Sequence, residues 1–118
     1  MMKKLLIWTI LMVMMMGETT FGVPTTKDFK IVSFSGKWEC ETLWIKGEVK
    51  NIGNEKAGVE IYYIIRDKHN KIVDSGSFWP YGVSNIESGQ SVGLDYPASK
   101  NKEAKMIELR LKKVRIWE

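Results

Sequence analysis

Residues 42–66, "TLWIKGEVKNIGNEKAGVEIYYIIR", decide the fold of this chain. In the first part of the stretch Leu43, Ile45, Gly47 and Val49 fall on one face of an extended chain, while charged residues and a tryptophan fall on the other. Alternation with a period of two and a polar outer face is typical of a half-buried antiparallel strand. The first part is therefore predicted to be such a strand.

The second part of the stretch, "VEIYYIIRD" (59–67), is apolar on much of both faces. This pattern predicts a central strand. Between the two strands lies "NIGNEKAG" (51–58), in which Asn51 closes the first strand. Gly53, Asn54 and Gly58 then let the chain reverse, because glycine and asparagine tolerate turn conformations. We interpret this cluster as part of the fold and not as a ligand loop.

The rest of the chain continues as short strands separated by turns. Strands are predicted at 29–35, 71–79 and 91–96, with turns at 67–71 and 85–90. Gly76 in mid-strand indicates a bulge or an edge position. Pro97 is expected to end its strand because proline has no N–H to donate. About seven strands with turns near every ten residues predict an antiparallel, immunoglobulin-like β-sandwich.

The C-terminal stretch "KMIELRLKKVRIW" (105–117) is the one place where a helix competes with a strand. Ile107, Leu109 and Leu111 alternate with charged residues, and the alternation resumes one step out of phase after Lys112 and Lys113. A β-bulge at these two lysines would return the later apolar residues to the same face. We therefore favour a strand with a bulge.

Residues 1–22 have the layout of a secretory signal peptide: two lysines, the apolar run "LLIWTILMVMMM" (5–16) and a small polar stretch. The alternative is a retained anchor, but 12 apolar residues rise only about 18 Å as a helix, against a hydrocarbon core of about 30 Å. We expect cleavage, no stable membrane span afterwards and an extracytoplasmic location. Residues 23–28 are expected to be a flexible lead-in, and 29–118 the sandwich.

Composition argues against catalysis. The chain has 18 basic and 14 acidic residues; without Lys3, Lys4 and Glu18 of the leader the net charge is +3, too mild to imply nucleic acid. The single histidine, His69, lies in a predicted turn, and acid–base or nucleophilic catalysis usually needs a positioned base. No spacing of metal ligands is recognisable. We expect no enzyme, no cofactor and no metal. Cys40 lies between two glutamates, and is expected either to be a buried free thiol or to pair with another chain.

The phrases "GEVKN" (47–51), "VEIYY" (59–63), Asp67 with its hairpin, and "SGQ" (88–90) before a strand resemble the FxLYD-type domain. The resemblance covers roughly residues 38–117. This chain has the looser "IYYIIRD" where the family has an aromatic-x-Leu-Tyr-Asp-like phrase. The resemblance implies an immunoglobulin-like sandwich of secreted and cell-envelope proteins, and for most members no defined activity.

Two surfaces are candidates for binding a protein or another envelope component. The stretch "SFWPYG" (77–82) places Phe78, Trp79 and Tyr81 around a proline, and aromatic groups supply large contact areas. The C-terminal strand carries the basic residues Arg110, Lys112, Lys113 and Arg115, which could hold an anionic polymer or surface. The leading hypothesis is a non-catalytic exported binding module, with polymer binding through the basic face as the alternative.

Overall fold

The computed structural model describes residues 23–118, so the predicted signal peptide lies outside the described residues. Residues Thr26–Asp28 form one 3-10 turn, and six strands follow it: β1 (Phe29–Glu39), β2 (Thr42–Asn51), β3 (Gly58–Arg66), β4 (Ile72–Phe78), β5 (Ser91–Ser99) and β6 (Met106–Arg115). No helix within residues 23–118 has the length and apolar character needed to span a membrane.

The strands form two antiparallel sheets of three strands each, with the orders β1-β2-β5 and β4-β3-β6. The chain changes sheet after β2, after β4 and after β5. The all-β, antiparallel sandwich predicted from the sequence is confirmed. The described residues contain six strands, against the expected number of about seven.

The core lies between the inner faces of the two middle strands. The sequence correctly placed Leu43, Ile45 and Val49 of β2 on the buried face. In β3 both faces are largely buried, as expected for a central strand, and Ile61 and Ile65 are completely inaccessible to solvent. The alternation of side chains along β2 and β3 therefore sets how the two sheets face each other.

The crossing from β2 to β3 is held by the side chain of Asn51, which is fully buried. Its Nδ2 donates at 2.8 Å to the carbonyl oxygens of both Glu55 and Ile86, and its Oδ1 accepts from the N–H of Gly53 at 2.9 Å. One amide thus ties together the end of β2, the reversal after it and the loop before β5. The structure agrees with interpreting "NIGNEKAG" as a fold element.

The 3-10 turn lies within the segment expected to be a flexible lead-in. The Thr25 hydroxyl accepts from the Lys27 N–H, and the Asp28 carboxylate accepts from the Thr25 N–H at 2.8 Å. The carbonyl of Asp28 in turn accepts from the N–H of Ile52 at 2.8 Å. This turn therefore attaches directly to the β2–β3 crossing.

Two strands run further than the sequence predicted. β1 continues through Gly36 to Glu39, because the following residues form a tight hairpin with β2. β5 continues through Pro97, so the expectation that this proline ends the strand is wrong. β5 is an edge strand, and its pairing with β2 shifts between Leu43 and Trp44, where Pro97 lies. An edge or a bulge tolerates a residue without an N–H.

The C-terminal segment is the predicted strand. Glu60 pairs with Lys113 and Ile61 pairs with Leu111, so Lys112 is the extra residue of a β-bulge at the expected position. The bulge keeps Val114 packed against the core together with Leu111. Gly76 lies in β4, which is an edge strand, as one of the two expectations for it required.

The β3–β4 turn is organised by Asp67. Its Oδ1 accepts from the N–H groups of His69 at 2.8 Å and of Lys71 at 3.0 Å. These backbone hydrogen bonds, the bond from Lys71 first, hold the pKa of the Asp67 carboxyl below its ordinary value of 3.8. Asn70 takes the positive φ of 67° that closes the turn.

Replacing Asn51 tests the crossing. Asn51→Ala removes three hydrogen bonds of a buried side chain, each worth about 1 kcal/mol, and is expected to lower the free energy of unfolding by about 3 kcal/mol in urea denaturation. The matched control is Asn54→Ala, at an exposed position of the same loop, for which we expect a change within about 0.5 kcal/mol. Similar losses in both variants would contradict the role of Asn51.

The role of Asp67 predicts a pH dependence. Its pKa is lower in the folded protein than in the unfolded chain, so its contribution is present above the ordinary value of 3.8 and is lost as the pH falls through the folded pKa. Wild type should therefore be more stable than Asp67→Asn at pH 6, and the difference should shrink as the pH is lowered from 4 toward 2. Chemical denaturation at each pH measures this. A difference independent of pH would refute it.

Candidate functional site

The inner face of β1 is left uncovered beyond its first residues. Phe34 pairs with Gly47 and Trp38 pairs with Leu43, so both aromatic side chains lie on the face that points toward the opposite sheet. Yet Phe34 is 42% and Trp38 is 45% exposed. Large apolar groups on the inner face of a sandwich are normally covered, so the opposite sheet covers this part of β1 incompletely.

A cleft of about 220 Å³ opens at this side of the sandwich, between β1 and β6. Gly36 forms its narrow part, because a Cβ at this position would lie only 2.7 Å from Cδ1 of Ile107 on β6. Most of the lining side chains are apolar, but polar atoms make up about half of the exposed wall, and one ammonium group lies at the rim. The lining residues are Phe34, Gly36, Trp38, Leu43, Ala104, Lys105 and Ile107.

A shallow hollow of about 250 Å³ is lined by Trp38, Glu41 and Lys102. Cys40 and Glu41 form the tip of the β1–β2 hairpin with φ angles of 49° and 65°. The Cys40 thiol is exposed, so the expectation of a buried thiol is wrong: a two-residue hairpin loop projects from the sheet and cannot reach the core. Pairing of Cys40 with another chain stays a prediction.

The three aromatic residues of "SFWPYG" are separated by the structure. Phe78 is 8% exposed and stacks on Tyr96 in the core, with ring centroids 4.4 Å apart. Trp79 is partly buried and meets Trp117 edge-on, with centroids 5.3 Å apart. Tyr81 is 41% exposed. Of the three, Tyr81 therefore offers the most accessible surface to a partner.

Trp117 is anchored from several sides. Its backbone N–H donates to Oδ1 of Asn85 and its carbonyl accepts from Nδ2 of the same residue, both at 2.8 Å. The Arg115 guanidinium lies 4.3 Å from the Trp117 ring centroid, a cation–π contact. Gly58 lies beneath the indole, since a Cβ there would be 2.5 Å from Nε1. Trp79 and Arg115, both predicted as binding residues, therefore pack against Trp117 within the fold.

The basic residues of β6 are partly neutralised. Arg110 contacts the Glu108 carboxylate at 2.7 Å, and Lys112 lies 3.8 Å from Oε2 of the buried Glu60. Among the described residues Lys113 forms no ion pair. The same holds for Lys102 and Lys105 at the cleft side.

His69 is exposed in the β3–β4 turn. Within residues 23–118 no three His, Cys, Asp or Glu side chains come close enough to hold a metal ion. The cleft side of the domain combines exposed aromatic side chains, the unpaired strand edges of β1 and β6, and ammonium groups without ion pairs among the described residues. Groups of these kinds bind partners by non-covalent contacts.

The fold defines a small antiparallel β-sandwich domain. It is similar to a crystal structure of a DUF1425 family member from Shewanella sp. pv-4, with a TM-score of 0.56 and 13% sequence identity, over 71% of this chain and 76% of that chain. At this identity the likeness concerns the fold alone. No family model matches the sequence, and no curated protein is significantly similar to it.

Sequence reasoning missed the cleft. It assigned 29–35 to a strand and proposed no binding role for Phe34 or Trp38. The available signal was a slip in period: Phe29 and Ile31 are in phase with each other, whereas Phe34 is out of phase. The pairing of β1 with β2 indeed shifts between Ile31 and Ser33, which indicates a bulge at Val32.

The separation of the aromatic residues predicts different responses to truncation. Phe78→Ala should lower the free energy of unfolding by about 3–5 kcal/mol, because it leaves a cavity beside Tyr96. Tyr81→Ala at the exposed position should change it by less than about 0.5 kcal/mol. Urea denaturation of the two variants measures both. A small effect at Phe78 would contradict its place in the core.

Proposed function

We propose that this protein is an exported, non-catalytic binding domain of the cell envelope, related to FxLYD-type domains, which captures a protein partner at the cleft between β1 and β6. The observation that carries the proposal is the exposure of Phe34 and Trp38 on an inner sheet face, beside a cleft of about 220 Å³. Exposed aromatic groups next to a cavity are the common anchors of protein interfaces.

Several further features support this proposal. The leader-like residues 1–22 favour export. The phrases resembling FxLYD-type domains lie on β2, β3 and the turn before β5, where they form the strands and turns of a sandwich. His69 lies in the exposed β3–β4 turn and is not among the residues that line the cleft, so the cleft lining contains no imidazole base. Tyr81, on another loop, is a second possible contact for the partner.

A second candidate function is binding of an anionic polymer or surface through the basic residues of β6. Lys113 is exposed and without an ion pair among the described residues, which favours it. Arg110 and Lys112 are already engaged by carboxylates, and Arg115 lies on Trp117. Salt separates the two candidates, since contacts between exposed charges weaken at high ionic strength whereas apolar contacts persist.

The test uses the tagged full chain expressed in its own cells. We expect it in the extracytoplasmic fraction, crosslinked to a partner. Trp38→Ala should reduce partner recovery about thirtyfold, the loss of a hot-spot tryptophan worth about 2 kcal/mol.

The matched control is Trp44→Ala. Trp44 lies on the outer face of β2, beneath Lys46, and its removal should leave recovery unchanged. Equal losses in both variants would refute the cleft as the binding site, and recovery in the cytoplasm would refute the envelope role. Retention on an anionic matrix at physiological salt, unaffected by Trp38→Ala, would favour the polymer function instead.

A further inference from the structure

We propose that the cleft receives an extended segment of the partner, which adds to the free edge of β6 as a fourth strand of the β4-β3-β6 sheet. This inference rests on the proposed function and specifies its binding mode. The segment would alternate apolar residues, which face Phe34 and Trp38, with acidic residues, which face the basic side of β6.

The first argument is the uneven coverage of the two sheets. Phe34 and Trp38 lie on either side of Gly36, whose backbone contacts Ile107 of β6. The two aromatic side chains stay 42% and 45% exposed, so β6 does not cover them. No described strand lies beside β6 on that side, and an added strand there could cover both rings.

The second argument is the state of the β6 edge. β6 pairs with β3 along one side, from Arg66 opposite Met106 to Gly58 opposite Arg115. Its other side has no strand partner among the described residues. The backbone N–H and C=O groups that point to that side are free to form a ladder with an added strand. The regular part before the bulge, 106–111, spans about 20 Å.

The third argument is the contrast with the opposite side of the sandwich. There the stack of Phe78 on Tyr96 fills the space between β4 and β5, and the Tyr63 hydroxyl donates to the carbonyl of Ala98 at 3.1 Å. The β5 edge is also interrupted by Pro97. On that side the space between the sheets is therefore filled, and on the β1–β6 side it is open.

Charge selects the occupant. Lys105 at the rim and Lys113 on β6 form no ion pair among the described residues, whereas Arg110 and Lys112 already contact carboxylates. An acidic strand would complement the two unpaired ammonium groups. A second copy of this chain would add its own unpaired lysines to the same edge, so charge favours an acidic partner.

The test uses a synthetic probe with the full chain: an acetylated eight-residue peptide of alternating valine and glutamate, with binding followed by calorimetry. We expect binding that falls at least about tenfold for the valine–lysine peptide and for Trp38→Ala, but not for Trp44→Ala. Lys105→Glu should weaken binding of the glutamate peptide, whereas Lys56→Glu, at an exposed position beside the opposite end of β6, should leave it unchanged.

Backbone pairing has its own readout. N–H groups of alternate residues in a strand point to the same side, so two N-methylated peptides, one modified at every valine and one at every glutamate, should differ sharply. One should lose binding and the other should keep it. Amide hydrogen exchange should slow along residues 106–111 of β6 and remain unchanged in β4. Equal binding of the two modified peptides, or protection elsewhere, would overturn strand addition.

The remaining outcomes assign the cleft to other occupants. A polyglutamate peptide that binds as tightly as the alternating one would overturn the proposal in favour of simple polyanion attraction. Protection of 106–111 that rises with protein concentration alone would overturn it in favour of a second copy. If the peptide fails while Trp38→Ala still abolishes partner capture in cells, strand addition falls and the proposed function stands.

Discussion

The fold depends on the buried amide of Asn51. The chain has to leave one sheet at the end of β2 and enter the other at β3, and this passage exposes backbone groups that neither ladder satisfies. The Asn51 side chain supplies the missing partners, since it binds the carbonyls of Glu55 and Ile86 and the N–H of Gly53. Because Ile86 precedes β5, the same side chain also fixes the return of the chain to the first sheet.

The second constraint is the difference between the two lateral sides of the sandwich. Aromatic packing at Phe78, Tyr96 and Tyr63 joins β4 to β5. On the other side Gly36 lets Ile107 approach the backbone of β1, but Phe34 and Trp38 beside Gly36 remain exposed. A glycine flanked by Phe34 and Trp38 therefore creates both the close contact and the cleft. The candidate site follows from packing that is complete on one side only.

Much of the fold could be predicted because it depends on local patterns. Period-two alternation identified β2 and β3, and the slip at Lys112 and Lys113 correctly predicted the bulge in β6. The prediction that Pro97 ends its strand was wrong because a strand at a sheet edge tolerates a proline. The edge position of β5 follows from the strand order, which the local sequence does not reveal. For the same reason the sequence could not predict that Phe34 is exposed and Phe78 is buried. Whether an aromatic side chain is covered depends on the length and stagger of the opposite sheet.

The difference between the two sides also bears on stoichiometry. On the β4–β5 side Phe78 and Tyr96 fill the space between the sheets, and Pro97 lies in the β5 edge. A strand added to β4 would gain backbone pairing alone, whereas a strand added to β6 would also cover Phe34 and Trp38. The packing of the two sides therefore favours one partner strand per domain over a chain of domains joined through both sides.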